Sequence, residues 1–304
     1  MPARVRLERL LTERPNPASR DLDRLSPLRI ARLMNREDRR AVAAVGRVAP
    51  RIAAAVTLIA RALGAGGRLF FVGAGTSGRL GVLEAAECPP TFGTPPRLVQ
   101  AIMAGGRASV FRSREGAEDD GHAAARAVRA RVRAGDVVVG VSASGVTPFV
   151  HAALTAARAR RAATVLVSCN PRTGVRVRAD VVIAPAPGPE VLAGSTRLKA
   201  GTATKLVLNT LTTASMARLG KMYGNRMVDL QPRSRKLRER ALRLVAELGG
   251  VPRARAQRLL VAGGNVRVAI VMARTGRSAA DARRALRDAG NFLAPLIDLP
   301  TPSR

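Results

Sequence analysis

Aromatic side chains are scarce in this chain of 304 residues, which contains six Phe, one Tyr and no Trp. Hydrophobic residues nevertheless make up 47% of it, so its core has to be built from aliphatic side chains. That is enough apolar material for one large domain, or for a domain with a small appendage. The lack of aromatics also argues against a single-stranded nucleic acid as ligand, because such sites stack bases on aromatic rings.

Lysine and acidic residues are few as well. Four of the 52 basic residues are lysine, which leaves 48 arginines, and 21 acidic residues bring the formal net charge to +31. A charge of this size usually indicates a polyanionic partner. The arginines are spread along the chain instead of being clustered, however, and a GC-rich coding bias explains them equally well. We therefore do not expect nucleic acid to be a functional partner.

Cysteine is almost absent, with Cys88 and Cys169 the only two. Their spacing fits neither a disulfide framework nor a metal site, and His122 and His151 add no recognisable set of metal ligands. The first residues lack the apolar core of a signal peptide, and no uncharged apolar run is long enough to span a membrane. These features predict a cytoplasmic protein without a bound metal.

Short apolar runs alternate with helical patterns through the middle of the chain. Strands are predicted at residues 68–72, 98–103, 136–141, 164–168 and 181–183, and helices at residues 81–86, 115–133, 148–160 and 198–218. This alternation predicts an α/β fold with a doubly wound, mostly parallel five-stranded sheet flanked by helices. Prolines 89 and 90 are expected to end the first of these helices.

Helical patterns also precede and follow the predicted sheet. We expect three parts: an arm and N-terminal helices in residues 1–63, a sheet domain in residues 64–233, and a small, arginine-rich helical domain in residues 234–304. Residues 1–26 predict an extended arm, because residues before proline avoid the helical region. The helices of residues 27–63 are expected to break near Asn35.

Two loops of small and hydroxyl-bearing residues follow the first and third predicted strands. Residues 73–78 have the sequence GAGTSG, and residues 142–148 have the sequence SASGVTP. Backbone N–H groups, hydroxyls and a helix N-terminus in such loops bind anions. The two loops predict a phosphorylated small molecule held from two sides. The residues expected to contact it are Gly75, Thr76, Ser77, Ser142, Ser144, Gly145 and Thr147.

Other interpretations of both loops remain open. The first loop fits the dinucleotide-binding pattern G-x-G-x-x-G, but that mechanism needs an acidic residue about 20 positions on. Here the second strand runs into Ala104, Gly105, Gly106 and Arg107, without an acid. The first loop could also be a tight turn without a ligand, and the second an ordinary helix cap at Ser144 or Thr147.

The scarce carboxylates include two that suit acid–base catalysis. Glu87 lies near the predicted end of a helix, where partial negative charge favours a protonated carboxyl. Glu118 lies in or near the predicted first turn of another helix, where the opposite polarity favours the ionised form. Two carboxyls biased in opposite directions suit a general acid and a general base. Spacing alone favours solvated or Arg-paired carboxylates, and Glu84, Glu115 and Glu190 remain rivals.

Longer motifs resemble one family specifically. Residues 72–81 (VGAGTSGRLG), 87–93 (ECPPTFG), 115–120 (EGAEDD), 142–148 (SASGVTP) and 194–205 (GSTRLKAGTATK) resemble the N-acetylmuramic acid 6-phosphate etherases. The N-terminal arm, residues 225–229 and the helical tail are similar too, so the resemblance covers nearly the whole chain. It implies a sugar isomerase (SIS) type phosphosugar-binding domain, a homodimer and no cofactor.

The resemblance also implies an activity. Family members cleave the D-lactyl ether of N-acetylmuramic acid 6-phosphate to N-acetylglucosamine 6-phosphate and D-lactate, in peptidoglycan recycling. The positions that match Glu87 and Glu118 carry the acid and base roles there. Val146 departs mildly from the family, where a polar residue is expected. The alternatives are a non-catalytic phosphosugar sensor, similar to the glucokinase regulatory protein, and a sugar-phosphate-responsive DNA-binding regulator. Residues 27–63 resemble the etherases' helices more than a DNA-binding motif.

Overall fold

A five-stranded sheet with all its strands parallel organises the chain. The computed structural model describes residues 10–171, 178–230 and 234–298. The strand order is β2-β1-β3-β4-β5. The strands are β1 (Leu69–Gly73), β2 (Val99–Met103), β3 (Val137–Val141), β4 (Ala163–Val167) and β5 (Val181–Ile183). Every residue of β1 and β3 is buried, as expected of a parallel sheet covered on both faces. The predicted fold class is confirmed.

Helices precede, alternate with and follow the strands. Those before and within the sheet region are α1 (Pro27–Arg47), α2 (Ala49–Gly64), α3 (Gly75–Phe92), α4 (Gly121–Arg131), α5 (Pro148–Ala159) and α6 (Lys199–Arg218). The later helices are α7 (Arg235–Gly249), α8 (Arg253–Gly263), α9 (Val266–Thr275), α10 (Ala279–Asp288) and α11 (Ala294–Ile297). Phe70 and Val138 pack in the same buried cluster as α4 and α5, whereas Phe71, on the other face, meets Gly81 of α3.

The strand order reverses at β1, and this places the two hydroxyl-rich loops side by side. The chain passes from β1 to β2 on one side and then returns to β3 on the other side of β1. Gly73 at the end of β1 is therefore paired with Met103 of β2 and with Val141 of β3. Both loops leave the same edge of the sheet at this point. In open α/β sheets such a reversal forms the crevice where ligands bind.

The helical boundaries differ from the prediction at two prolines. The break in the N-terminal helices is at Val48, not near Asn35, because Pro50 in the first turn of α2 has no N–H to continue the preceding helix. In α3, Pro89 and Pro90 lie inside the helix, which ends only at Phe92. Its end is at Gly93, which has a φ of +63° and donates its N–H to the Pro89 carbonyl (3.0 Å).

The N-terminal arm is less extended than predicted. Its described part contains three short 3-10 helices, Leu11–Glu13, Pro17–Ser19 and Leu22–Arg24. The Asn16 side chain caps the second of them by accepting a hydrogen bond from Ala18 N (3.0 Å). Local side-chain bonds of this kind stabilise turns in place of extended backbone. The first nine residues of the predicted arm lie outside the described residues.

Contacts divide the chain into two compact units. The larger comprises the described parts of residues 10–86 and 97–212, and the smaller comprises residues 87–96 and the described parts from 213 onwards. The smaller unit has its own apolar core, to which Val228, Val245, Ile270 and Leu286 contribute. The three-part division at residues 63 and 233 stays a prediction.

Among the described residues, no single helix is both long enough and apolar enough to cross a bilayer. Helices α1 and α2 meet the criterion of length and composition only as a pair, which is bent by 60° at their junction.

Candidate active site

The second loop, residues 142–148, is closed into a compact turn by its own hydroxyls. The Ser142 hydroxyl accepts a hydrogen bond from Gly145 N (3.0 Å) and lies 2.8 Å from the hydroxyl of Thr147 and 3.4 Å from that of Ser144. Gly145 has a φ of +75°, which a side chain would disfavour. Thr147 is the N-cap residue of α5, yet its hydroxyl makes no capping hydrogen bond. Pro148 has no N–H, and Val150 N donates to the Thr147 carbonyl oxygen (3.1 Å). In this first turn it is therefore the N–H of Phe149, not occupied by the Thr147 side chain, that can face an anion.

His151 holds this loop from the first turns of α5. Its Nε2 lies 2.8 Å from the Gly145 carbonyl oxygen, and because a carbonyl can only accept, Nε2 donates. From the sequence alone, only a surface or packing role is expected of His151. The available signal was its position four residues after Thr147, which puts its side chain on the same face of the helix start.

The first loop begins α3 directly at the end of β1. Gly75, at the start of the helix, has a φ of +54°, and Thr76 and Ser77 follow it half-buried in the first turn. That turn contains no acidic residue, so its partial positive charge stays available to an anion. A Cβ on Gly201 of α6 would lie 3.8 Å from the Thr76 methyl group. The start of α6 is therefore a neighbour of this loop.

The N-terminus of α6 is already occupied by a carboxylate of the protein. The two oxygens of Glu190 accept hydrogen bonds from the N–H groups of Lys199 and Ala200, each at 2.9 Å. Glu190 is fully buried, and this burial raises its pKa, although the two N–H groups and the Lys199 ammonium oppose the effect. Of the rival carboxylates, Glu190 thus acts as a helix cap. The N-termini of α3 and α5 are the ones left for a phosphate.

A buried ion pair joins α1 to α6. The Lys199 ammonium donates to Glu37 at 2.6 Å, and the Asn16 amide donates to the same carboxylate at 2.8 Å. Arg40 lies 3.0 Å from its other oxygen. Burial raises the pKa of Glu37, but the hydrogen bonds from Lys199 and Asn16 and the nearby positive charges outweigh this, so the pKa is below its usual value.

A cavity of about 180 Å³ lies beside the first loop, and Glu118 lines it. Gly75 and Arg79 of α3 form one side, and the segment after β2, with Ser109, Glu115 and Glu118, forms the other. Glu118 therefore borders the space beside the predicted phosphate loop. Glu115 lines the same cavity and remains a rival to Glu118.

Glu118 does not lie in the first turn of a helix as predicted. The helix expected at residues 115–133 begins only at Gly121, because Asp120 caps it by accepting a hydrogen bond from Ala123 N (2.8 Å). Glu118 belongs to a separate 3-10 turn, Ala117–Asp119, and its side chain is exposed. Glu118 therefore lies outside α4, and its role as base stays a prediction.

Arg79 connects α3 to the segment after β2 that lines the cavity on the other side. Its Nε donates to the Val110 carbonyl (2.8 Å) and its Nη2 to the Ser109 carbonyl (2.9 Å). Two directional bonds from one guanidinium hold the segment that leads to Glu118. The sequence places Arg79 in a family-like motif without indicating its role. The signal in the sequence is an arginine directly after the glycine-rich loop of residues 73–78.

Glu87 and Glu84 differ in their surroundings. Glu87 is exposed on α3, five residues before the helix ends at Phe92, and belongs to the smaller unit. Glu87 thus lies before the last turn of the helix instead of at its end, and its acid role stays a prediction. Glu84 is buried, accepts a hydrogen bond from Thr212 (2.6 Å) and lies 3.6 Å from Lys205. It serves the contact between α3 and α6.

The thiol of Cys169 does not suit a nucleophile. Burial raises its pKa to about 12, with the Glu190 carboxylate adding to the effect and a hydrogen bond with Thr204 opposing it. A thiol with such a pKa is almost entirely protonated at neutral pH. Within the described ranges, no group of three or more His, Cys, Asp or Glu side chains is arranged to hold a metal ion.

Proteins named N-acetylmuramic acid 6-phosphate etherase are similar to this chain over nearly its full length. It is 49% identical to the one from Synechocystis sp., over 98% of this chain and 99% of that protein. It is 53% identical to the one from Gloeobacter violaceus, over 95% of each chain. The protein from Symbiobacterium thermophilum is 52% identical, over 88% of this chain and 89% of its own.

Two further comparisons concern the fold. The family model of the glucokinase regulatory protein N-terminal SIS domain matches residues 51–158. Among solved structures, a phosphoheptose isomerase from Francisella tularensis superposes with a TM-score of 0.51 at 16% identity, covering 64% of this chain and 100% of that one. At this identity the likeness concerns the fold alone, and it agrees with the SIS type of sheet.

Proposed function

Because the chain belongs to the N-acetylmuramic acid 6-phosphate etherase family, we propose that its two loops bind the phosphosugar and that Glu118 and Glu87 perform the chemistry. The enzyme is a carbon–oxygen lyase that cleaves the D-lactyl ether of N-acetylmuramic acid 6-phosphate. Its products are N-acetylglucosamine 6-phosphate and D-lactate, and its place is in peptidoglycan recycling. The observation that best supports these roles is that Glu118 and Gly75 line one cavity.

The sugar phosphate is bound where the two loops leave the sheet. The starts of α3 and α5 both follow paired strand ends, Gly73 and Val141, and neither start is capped by an acidic side chain in its first turn. Helix N-termini and hydroxyls together favour a dianionic phosphate over neutral ligands. We propose that the hydroxyls of Thr76, Ser77 and Ser144 contribute, because they are half-buried instead of fully enclosed.

The chemistry follows from the weakness of an ether as a leaving group. Opening of the sugar ring exposes an aldehyde, which acidifies the proton on the neighbouring carbon. Glu118 removes that proton as general base, the lactyl carbon–oxygen bond breaks, and Glu87 protonates the departing oxygen. Water then adds across the resulting double bond, with its proton returned and its hydroxyl placed on the carbon that carried lactate. Each step needs only a positioned acid or base.

Replacing either carboxylate by its amide should abolish the proton transfer but preserve the shape. We expect Glu118→Gln and Glu87→Gln each to lower kcat by about 10²–10⁴-fold, with binding of N-acetylglucosamine 6-phosphate retained. Glu115→Gln is the matched variant, because Glu115 lines the same cavity. If Glu115→Gln loses activity and Glu118→Gln does not, the base has been assigned to the wrong residue.

An isotope experiment tests the reaction itself. The purified protein is incubated with N-acetylmuramic acid 6-phosphate in heavy-oxygen water, and both products are examined by mass spectrometry. Elimination and hydration put the label in the amino sugar. Label in D-lactate would exclude this route, and the absence of D-lactate would exclude the etherase activity.

A phosphosugar sensor is the alternative function, and the match of residues 51–158 to a regulatory protein's SIS domain favours it. The etherase similarity covers far more of the chain and is preferred. We further propose a homodimer, for which sedimentation equilibrium should give about twice the chain mass of 32.0 kDa. We also propose that the enzyme works in the cytoplasm, which cell fractionation would test.

A further inference from the structure

The buried side chain of Asn170, shortly after β4, joins the second loop to the N-terminal arm. Its amide nitrogen donates to the Ala143 carbonyl oxygen (3.0 Å) and to the Thr12 hydroxyl (3.3 Å). Its amide oxygen accepts from Leu11 N (2.6 Å). Because one end faces a carbonyl and the other an N–H group, the amide can adopt only one orientation. Just 3% of Asn170 is exposed, so these bonds are not exchanged with water.

Ala143 lies between Ser142 and Ser144, two residues whose side chains carry hydroxyls. Its carbonyl accepts a second hydrogen bond from Cys169 N (3.0 Å), and its side chain packs in a buried cluster with Ala200 and Ala203 of α6. The orientation of this carbonyl also sets the direction of the following N–H group, that of Ser144, because the peptide unit is planar. A group that holds the Ala143 carbonyl in place therefore also orients the N–H group of Ser144 in the second loop.

The arm is anchored on both sides of this contact. Thr12 is 1% exposed, and its carbonyl accepts a hydrogen bond from Gly194 N (3.0 Å). Gly194, with a φ of +78°, belongs to the segment that leads into α6, whose start neighbours Thr76 of the first loop. Two residues of the arm thus bridge the second loop and the approach to α6.

We propose that Asn170 is a positioning residue for the phosphate-binding second loop, and that the arm acts through Leu11 and Thr12 as part of the same framework. The identity of the ligand rests on the function proposed above. Asn170 acts through the Ala143 carbonyl, so its loss weakens the binding of the phosphate without removing a catalytic group.

Two variants of this junction test the proposal. Asn170→Asp keeps the shape and the oxygen that accepts from Leu11, but it replaces the donor to Ala143 by a second oxygen. We expect it to raise the Kd for N-acetylglucosamine 6-phosphate, and the KM, about tenfold, with kcat little changed. Thr12→Val removes one hydroxyl at constant size and should raise Kd about threefold. Calorimetric titration and steady-state kinetics measure these values.

The control is Ser19→Ala, which loosens the arm at a different anchor. The Ser19 hydroxyl donates to the Val191 carbonyl (2.7 Å) and is buried to a similar degree, but it has no bond to the second loop. We expect a lower Tm and an unchanged Kd. A Kd that rises equally in Ser19→Ala, or that does not change in Asn170→Asp, would overturn the proposal. If Asn170→Asp does not fold, Thr12→Val decides in the same way.

The test of the positioning role of Asn170 and the test of the etherase activity can fail independently of each other. If the native protein binds the phosphosugar but releases no D-lactate, the etherase activity fails and the effect of Asn170 on Kd still tests the positioning role. If it releases D-lactate and the junction variants bind normally, the positioning role alone fails. A native protein that binds no phosphosugar would reject both.

Discussion

Single glycines decide how closely the first loop approaches the sheet. A Cβ on Gly78 would lie 2.5 Å from the Gly73 carbonyl oxygen, and one on Gly81 would lie 2.7 Å from the Cβ of Phe71. Real Cβ atoms do not come this close to other atoms, and the atoms met here belong to β1, which is buried. The Cβ on Gly78 would also lie 2.3 Å from the Sδ of Met103, a side chain that could move aside, whereas the Gly73 backbone could not. Glycine at these positions lets α3 start against the end of β1, which keeps its N-terminus beside the proposed phosphate site. Gly73 and Gly78 of the G-x-G-x-x-G pattern thus serve packing in this structure.

A methyl group at this contact should be costly. We expect Gly78→Ala to lower the free energy of unfolding by about 1–3 kcal/mol, because the Gly73 backbone has little room to move. Gly46→Ala is the control, since Gly46 lies in α1 and no atom is within 4 Å of an added Cβ. This variant should raise the free energy of unfolding by about 0.5–1 kcal/mol, because alanine loses less backbone entropy in a helix than glycine does. Urea unfolding measures both. Similar free energies of unfolding for the two variants would show that the contact between Gly78 and Gly73 can accommodate a methyl group.

Helices α1 and α6 are joined by charges that water does not reach. The Lys199 side chain is 1% exposed and that of Glu37 is 0% exposed. Together with Glu190, they fix the start of α6, which adjoins both loops. A buried pair of this kind stabilises little compared with an apolar contact, but breaking it leaves an uncompensated charge.

Removal of one partner should therefore have a large effect. We expect Lys199→Met to lower the free energy of unfolding by about 3–5 kcal/mol, as measured by urea unfolding. Arg253→Met is the matched control, because Arg253 pairs with Glu239 at 61% and 59% exposure, where solvent screens the charges and little change is expected. If Lys199→Met lowers the free energy of unfolding by much less than this, Asn16 and Arg40 are sufficient to compensate the buried charge of Glu37.

The lowered pKa of Glu37 makes a prediction about acid. A carboxyl whose folded pKa lies below its unfolded value of 4.5 stabilises the fold fully above pH 4.5, and the contribution is lost as the pH falls through the folded pKa. The facing charges are Lys199 and Arg40. The difference in unfolding free energy between the native protein and Glu37→Gln should thus shrink below pH 4.5. A difference that stays constant down to pH 3 would contradict this.

On the scale of the whole molecule, the charge of +31 is much larger than a small phosphosugar requires. The arginines that the site uses, such as Arg79, donate to backbone carbonyls at fixed distances. Others form exposed pairs, as Arg253 does with Glu239. A diffuse positive field speeds the arrival of anionic ligands but does not specify them.

Binding to DNA should therefore be purely electrostatic. We expect a gel shift at low salt that disappears by about 200 mM and does not depend on sequence. N-acetylglucosamine 6-phosphate should leave the gel shift unchanged, because the site proposed for the phosphosugar is formed by the two loops and not by the dispersed arginines. A shift that survives this salt, or that the phosphosugar alters, would favour the DNA-binding regulator instead.

The sequence by itself determined the rhythm of strand, loop and helix. Apolar runs predicted five strands in nearly the observed places, because a strand's pattern depends on neighbours within a few residues. The hydroxyl-rich loops predicted an anion site after the first and third strands by the same local reasoning, and that site stays a prediction. The same local reasoning placed the break of the first helices near Asn35, and it ended α3 at Pro89. Both predictions were wrong. The first helices break at Val48, where Pro50 has no N–H to continue the preceding helix, and α3 continues through Pro89 and Pro90 to Phe92.

Only the tertiary structure decided which carboxylates are engaged and what holds the loops. Glu190 reaches the start of α6, Glu37 meets Lys199, and Asn170 meets Thr12 across 158 residues. No local spacing predicts such pairs, because each depends on how several elements pack around the sheet. The sequence sets the chemistry that each segment can offer, and the packing selects which of those groups meet.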